Sequence, residues 1–116
     1  MAKPQVTFFV ELDTPALEKL FQTPGLIDLL AAQGFGISMG LRDLSQGRAQ
    51  VVRQLNARSV PVHAWLLLPE EEGYWFNASN HRQALARYRA FRTWAEQEKL
   101  HFSRVGLDIE PPLNEL

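Results

Sequence analysis

Two carboxylates lie two residues apart, Asp108 and Glu110, in the run Gly106-Leu107-Asp108-Ile109-Glu110-Pro111. Val105, Leu107 and Ile109 alternate with them, so the run reads as a strand. In a strand residues i and i+2 point the same way, roughly 6–7 Å apart at Cα. Two like charges that close resist ionising together, so one carboxyl is pushed toward its protonated form. A protonated acid beside an ionised partner suits general acid catalysis, with Glu110 as proton donor and Asp108 as its electrostatic partner. The alternative is purely structural: one carboxylate paired with an arginine such as Arg42, the other solvated.

A second group of candidates comes from the segment Gly73-Tyr74-Trp75-Phe76-Asn77, which follows Glu70, Glu71 and Glu72. Pyranose rings stack their C–H faces on aromatics while their hydroxyls bond neighbouring polar groups, and Tyr74 and Trp75 offer such amphipathic rings. The same aromatics could instead pack onto the rim of the fold. Glu11, Arg42, His63 and Trp65 would line the floor of the site. Glu11, Asp13, His63, Asp108 and Glu110 could alternatively ring a divalent cation, as oxygen ligands with one imidazole suit Mg²⁺, Mn²⁺ or Zn²⁺. The sequence has no His-x-His and no His-Glu-x-x-His, so no metal ligand is assigned, and a lone His63 reads more simply as a hydrogen-bonded interior residue. Asn77-Ala78-Ser79 is a glycosylation sequon, of consequence only in a secretory host.

Four strands must position these groups, at about 6–12, 36–41, 60–68 and 104–110. Between them fall segments with helical spacing. Thr14-Pro15 and Thr23-Pro24 are helix-start signals, and Gly34 is a helix stop. Ser45 caps a helix to about Ala57, with Val51, Val52 and Leu55 inward. Asn77 to Asn80 offer caps for the longest helix, in which Leu85, Tyr88, Phe91 and Ala95 recur at helical spacing. Arg82, Arg87, Arg89 and Arg92 read as its solvated outer face. The expected order is β-α-β-α-β-α-β, an α/β class with a parallel sheet and three helical crossovers.

Strand parity divides the sheet into two unlike faces. One carries Thr7, Phe9, Glu11, then Ser38, Gly40, Arg42, then His63, Trp65, Leu67, then Gly106, Asp108, Glu110. The other is uniformly apolar: Val6, Phe8, Val10; Ile37, Met39, Leu41; Val62, Ala64, Leu66; Val105, Leu107, Ile109. A parallel sheet covered on both sides should be apolar on both. A (β/α)₈ barrel accounts for the asymmetry, with helices outside and polar groups inside, concentrated at the C-terminal ends. The alternative is a small open sheet with one wet face. Four strands make half a barrel and leave two open edges. The expectation is therefore one α/β unit over 1–116, the N-terminal half of a barrel, completed by chain beyond Leu116 or by a second copy.

The strand-four motif resembles that of glycoside hydrolase barrels. In chitinase-type enzymes the fourth strand reads Asp-Gly-x-Asp-x-Asp-x-Glu, and Gly106-Leu107-Asp108-Ile109-Glu110 is similar to its middle. Val105 stands where the first Asp would be, Glu110 takes an Asp position, and Pro112 falls where the acid would be. In the large retaining clan the fourth strand ends Asn-Glu-Pro. Glu110-Pro111 matches that ending, with Ile109 in place of Asn. The resemblance implies a barrel acting on or binding a carbohydrate, with Glu110 as proton donor. The second carboxylate of that clan lies on a seventh strand.

Bulk composition narrows the alternatives. The chain has 116 residues, 46% of them hydrophobic, which is enough for a core. Its formal net charge of -1 gives no overall positive field for nucleic acid. There is no cysteine, so disulfides and thiolate metal sites are excluded. No Gly-x-Gly-x-x-Gly follows a strand and there is no phosphate loop, so no nucleotide cofactor is expected. The opening residues run into a strand and not a signal peptide, and no apolar run approaches a membrane span. The partner expected is a carbohydrate or other small polar ligand.

Overall fold

The computed structural model describes residues 4–110. The order is β1 (Thr7–Val10), α1 (Thr14–Phe21), α2 (Leu26–Gln33), β2 (Gly36–Leu41), α3 (Gln46–Ala57), β3 (Val62–Leu66), two 3₁₀ turns (Glu70–Glu72 and Ala78–Asn80), α4 (His81–Gln97) and β4 (Arg104–Leu107). All three strand pairings are parallel, and the spatial order β1-β2-β3-β4 is the chain order. The chain is thus an α/β protein with one four-stranded parallel sheet.

The first crossover departs from expectation, since it holds two helices and not one. Asp13 caps α1, its carboxylate accepting the Ala16 N–H at 3.0 Å, so Thr14 is the first helical residue and not the cap. Thr23 and Pro24 form a turn that leads through left-handed Gly25 into α2. Gly34, at φ 69°, ends α2 as its position suggested. Ser45 caps α3 by accepting the Arg48 N–H at 3.2 Å. The ladders are shorter than the expected strands, because the outer residues turn into loops; β4 closes at Leu107, and Ile109 makes an isolated bridge to Phe76. Pro111 and Pro112, which follow this run, lie outside the described residues.

Every buried strand side chain of the core has the apolar parity: Ile37, Met39 and Leu41 from β2, Val62, Ala64 and Leu66 from β3. They meet Leu17, Phe21 and Leu30 from α1 and α2, Val51, Val52 and Leu55 from α3, and Phe91 and Trp94 from α4. All helices therefore pack on one face of the sheet. The other face carries Phe9 and Gly106 exposed and His63 and Trp65 half-buried. No helix among the described residues is long and apolar enough to cross a membrane.

Helix α4 corrects two expectations. Leu85 and Tyr88 stay exposed, and the inward stripe is Phe91 and Trp94 with Ala84 and Ala95 beside it. Arg87 is not on a solvated face: its Nε donates to the Leu67 carbonyl at 3.0 Å and its Nη2 to those of Leu41 (3.3 Å) and Arg42 (3.2 Å).

Candidate functional site at the C-terminal ends of the strands

Two arginines sent up from helices hold the C-terminal ends of the strands. Arg48 of α3 is fully buried. Its Nη1 donates to the Gly40 carbonyl at 3.0 Å, its Nη2 to the Leu12 carbonyl at 2.8 Å, and its Nε to Asp43 at 3.2 Å. It thereby ties the end of β1 to the end of β2. The Thr14 hydroxyl also donates to Asp43, at 2.7 Å from the nearer oxygen, and the Ser45 N–H donates at 3.2 Å. Burial alone would raise the Asp43 pKa. The bonds from Ser45, Thr14 and Arg48 and the guanidinium charge outweigh it, and bring it from 3.8 down to about 2. Arg87 does for β2 and β3 what Arg48 does for β1 and β2. These carbonyls sit where the sheet ladder has run out, so a multi-donor cation satisfies several at once.

The segment after β3 is folded back on the same rim. The Leu68 N–H donates to the Tyr74 carbonyl at 2.8 Å. Gly73 (φ 106°) and Tyr74 (φ 62°) are consecutive left-handed residues; for tyrosine that backbone is strained, and such strain persists only where the surroundings impose it. Buried Asn80 imposes it here. Its amide donates to the carbonyls of Glu72 (3.0 Å) and Trp75 (2.8 Å) and accepts from the Asn77 N–H (2.8 Å). A Cβ on Gly73 would stand 2.7 Å from that amide nitrogen. Asn77 of the sequon is half-buried, and its oxygen accepts the Ser79 N–H at 2.8 Å. Phe76 then joins the sheet: its N–H donates to the Asp108 carbonyl at 3.2 Å, and the Glu110 N–H to its carbonyl at 3.1 Å.

The rim gathers most of the residues singled out from the sequence. The Tyr74 phenol is raised to about 12, first by burial and then by the carboxylate of Glu11 beside it, with Glu70 adding to the effect and Arg42 opposing it. Glu11, Arg42 and Tyr74 are thus neighbours. Trp75 is half-buried with its ring edge-on to Tyr74, centroids 5.5 Å apart. On the polar face of the sheet a hollow of about 350 Å³ is lined by Phe9, Ser38, Trp65, Gly106, Leu107 and Asp108, with Phe9 edge-on to Trp65 at 6.1 Å. Asp108 is half-buried there, whereas Glu110, past the ladder, is exposed.

His63 stands apart. It pairs across the sheet with Ser38 and Arg104, one inward row below Trp65, and borders a polar cavity of about 240 Å³ at the opposite, N-terminal ends of the strands. Its Nδ1 is buried with no partner among the described residues. Among the described residues no three His, Asp or Glu side chains converge as metal ligands, so Glu11, Asp13, His63, Asp108 and Glu110 do not form a ring. The residues that hold the rim, Thr14, Asp43, Ser45, Arg48, Asn80 and Arg87, were not among the sequence candidates for the site. No protein family, curated protein or solved structure matches the chain.

Proposed function

We propose that the chain forms four consecutive strands and the three crossovers between them, half of a (β/α)₈ barrel whose C-terminal rim acts on or binds a carbohydrate. Three features support the barrel. The strand order follows the chain without reversal, whereas a doubly wound sheet reverses at its switch point and covers both faces. All helices lie on one face, as they do outside a barrel. The radius of gyration, 15.0 Å, exceeds the roughly 13 Å of a closed domain of this length, as an unclosed arc would.

The observation that carries the carbohydrate reading is the hollow that sets Asp108 against the rings of Trp65 and Phe9. An apolar wall with a few convergent polar groups suits a sugar ring. Tyr74, Trp75, Glu11 and Arg42 extend the same chemistry along the rim. In a hydrolytic cycle Glu110 would give its proton to the glycosidic oxygen as the C–O bond breaks, and Asp108 would stabilise the positive charge developing at the anomeric carbon. Water then adds at that carbon, and its proton returns to Glu110.

The test is turnover of glycosides and polysaccharides by the natural full-length protein and by Glu110→Gln. Loss of a general acid costs about 10²–10⁴-fold, with glycan binding retained. Unchanged turnover sinks the assignment. One observation favours a second reading, a carbohydrate-binding module without catalysis: Glu110 is exposed and lies past the sheet ladder. Glycan affinity without product, indifferent to Glu110→Gln, selects that reading. The metal-dependent hydrolase finds no such support, because its ligands do not converge.

A further inference from the structure

The large exposed hydrophobic side chains are not scattered. Val6, Phe8, Phe9, Leu20 and Leu29 belong to the first βα unit; Leu85, Tyr88, Val105, Leu107 and Ile109 belong to α4 and β4. None lies on β2, α3 or β3, so the middle of the arc is finished and its two flanks are not. Each flank has its own apolar hollow. One of about 250 Å³ lies among β1, α1 and α2, where Phe8, Leu20, Leu29 and Phe35 meet. The other, of about 350 Å³, lies between α4 and β4, among Phe76, Leu85, Tyr88, Val105 and Leu107. Beside each hollow is an edge strand of the parallel sheet, with no strand pairing on its outer side among the described residues. Exposed apolar surface next to an open strand edge is an association site.

We propose that the occupant of both flanks is a second copy of this chain. The proposal rests on the half-barrel reading. What each edge lacks is a parallel strand with its helix on the same face of the sheet. The β4 edge lacks a strand preceding a helix pair, and the β1 edge lacks one following a helix; the opposite flank of another copy offers each. The two flanks differ from one another, so each seam joins unlike edges, and a two-fold makes the two seams reciprocal. Here a two-fold along the sheet axis joins β4 of one copy to β1 of the other at both seams. The ring has eight strands, the number at which side chains just fill a barrel interior. The hollow holding Trp65 and Asp108 is then walled by both copies, so the site is complete only in the pair.

The experiment uses the 116-residue chain, whose lack of cysteine makes introduced thiols clean reporters. Light scattering should give twice the 13.2 kDa chain mass. Under mild oxidation Phe8→Cys with Val105→Cys should yield a covalent dimer, and mixing the two single variants should also yield one, while neither single variant does so alone. A dimer that cross-links within a single variant joins like edges and overturns the ring. A monomer that binds an apolar dye and aggregates overturns the second copy but leaves the half-barrel standing, its cover supplied by other chain. A monomer that unfolds cooperatively and binds no dye overturns both.

Discussion

Replacing Arg48 by Met tests the claim that a buried cation holds the rim. Met fills much of the same space and removes the charge and every donor. The Leu12 and Gly40 carbonyls, bonded at 2.8 and 3.0 Å, each lose a donor, and Asp43 loses its ion pair. A buried group left unsatisfied costs about 1–3 kcal/mol, and breaking a buried pair from one side about 3–5. Asp43 keeps Thr14, the Ser45 N–H and partial access to water, so the lower end, about 3 kcal/mol, is expected. With a urea m-value of about 1–3 kcal/mol/M for a domain of this size, the midpoint should fall by roughly 1–3 M. Acid adds a second readout. Asp43 is depressed from 3.8 to about 2, so its contribution is present above pH 3.8 and is lost as pH falls through 2. The shift would be worth ~2.4 kcal/mol at full effect, which screening of the partly exposed carboxylate cuts to about 1. Arg48→Met should shrink that acid limb, leaving the part that Ser45 and Thr14 hold. A midpoint within ~0.3 M of the parent, with the acid limb intact, would refute the anchoring role.

The Tyr74 phenol should report the carboxylate of Glu11 beside it. Absorbance titration should show one phenol ionising near pH 12, absent in Tyr74→Phe and moved back toward ~10 in Glu11→Gln. The raised pKa means that this group's stabilisation is complete below the ordinary phenol range and disappears as pH rises through 12. A late step that ignores Glu11→Gln would separate the pair. Asn80→Ala removes all three bonds that shape the aromatic loop and should cost about 1–3 kcal/mol, with faster proteolysis between residues 69 and 77. Gly73→Ala, strained at φ 106° and crowded by Asn80, should loosen the loop in the same way. Unaltered cleavage in both variants would mean that the loop is shaped by something other than Asn80.

The alternation along each strand was enough to separate the two faces of the sheet. Ile37, Met39, Leu41, Val62, Ala64 and Leu66 are buried against helices, because a period of two leaves no other way to hide them. The extra helix in the first crossover was harder to read. Thr23-Pro24 starts a helix in many contexts, but here Gly25 supplies the left-handed turn that separates two helices. Helix α4 carries two apolar stripes, and periodicity alone could not say which one the body of the protein covers. Phe91 and Trp94 face the core; Leu85 and Tyr88 face the open β4 flank. Only the sheet's having an edge there separates them.

The arginines were the larger omission, and the signal for them was present. Arg48 stands three, four and seven residues before Val51, Val52 and Leu55, on the stripe those residues bury. Arg87 stands three residues after Ala84 and four and seven before Phe91 and Trp94, again on the inward stripe. Charge suggested solvent for Arg87, and Arg48 was passed over, yet position placed both at the core side of their helices. A charge on a buried stripe must find partners, and the unpaired carbonyls beyond strand ends are the acceptors a parallel sheet leaves over. An arginine on the inward stripe of a crossover helix, near the level where strands stop, can thus be read as a tie between strand ends. In this chain the two ties converge on the loops that carry Glu11, Arg42 and Tyr74. The charges that fix the rim and the groups that would meet a ligand there are separate sets, and the first set is what gives the second a defined geometry.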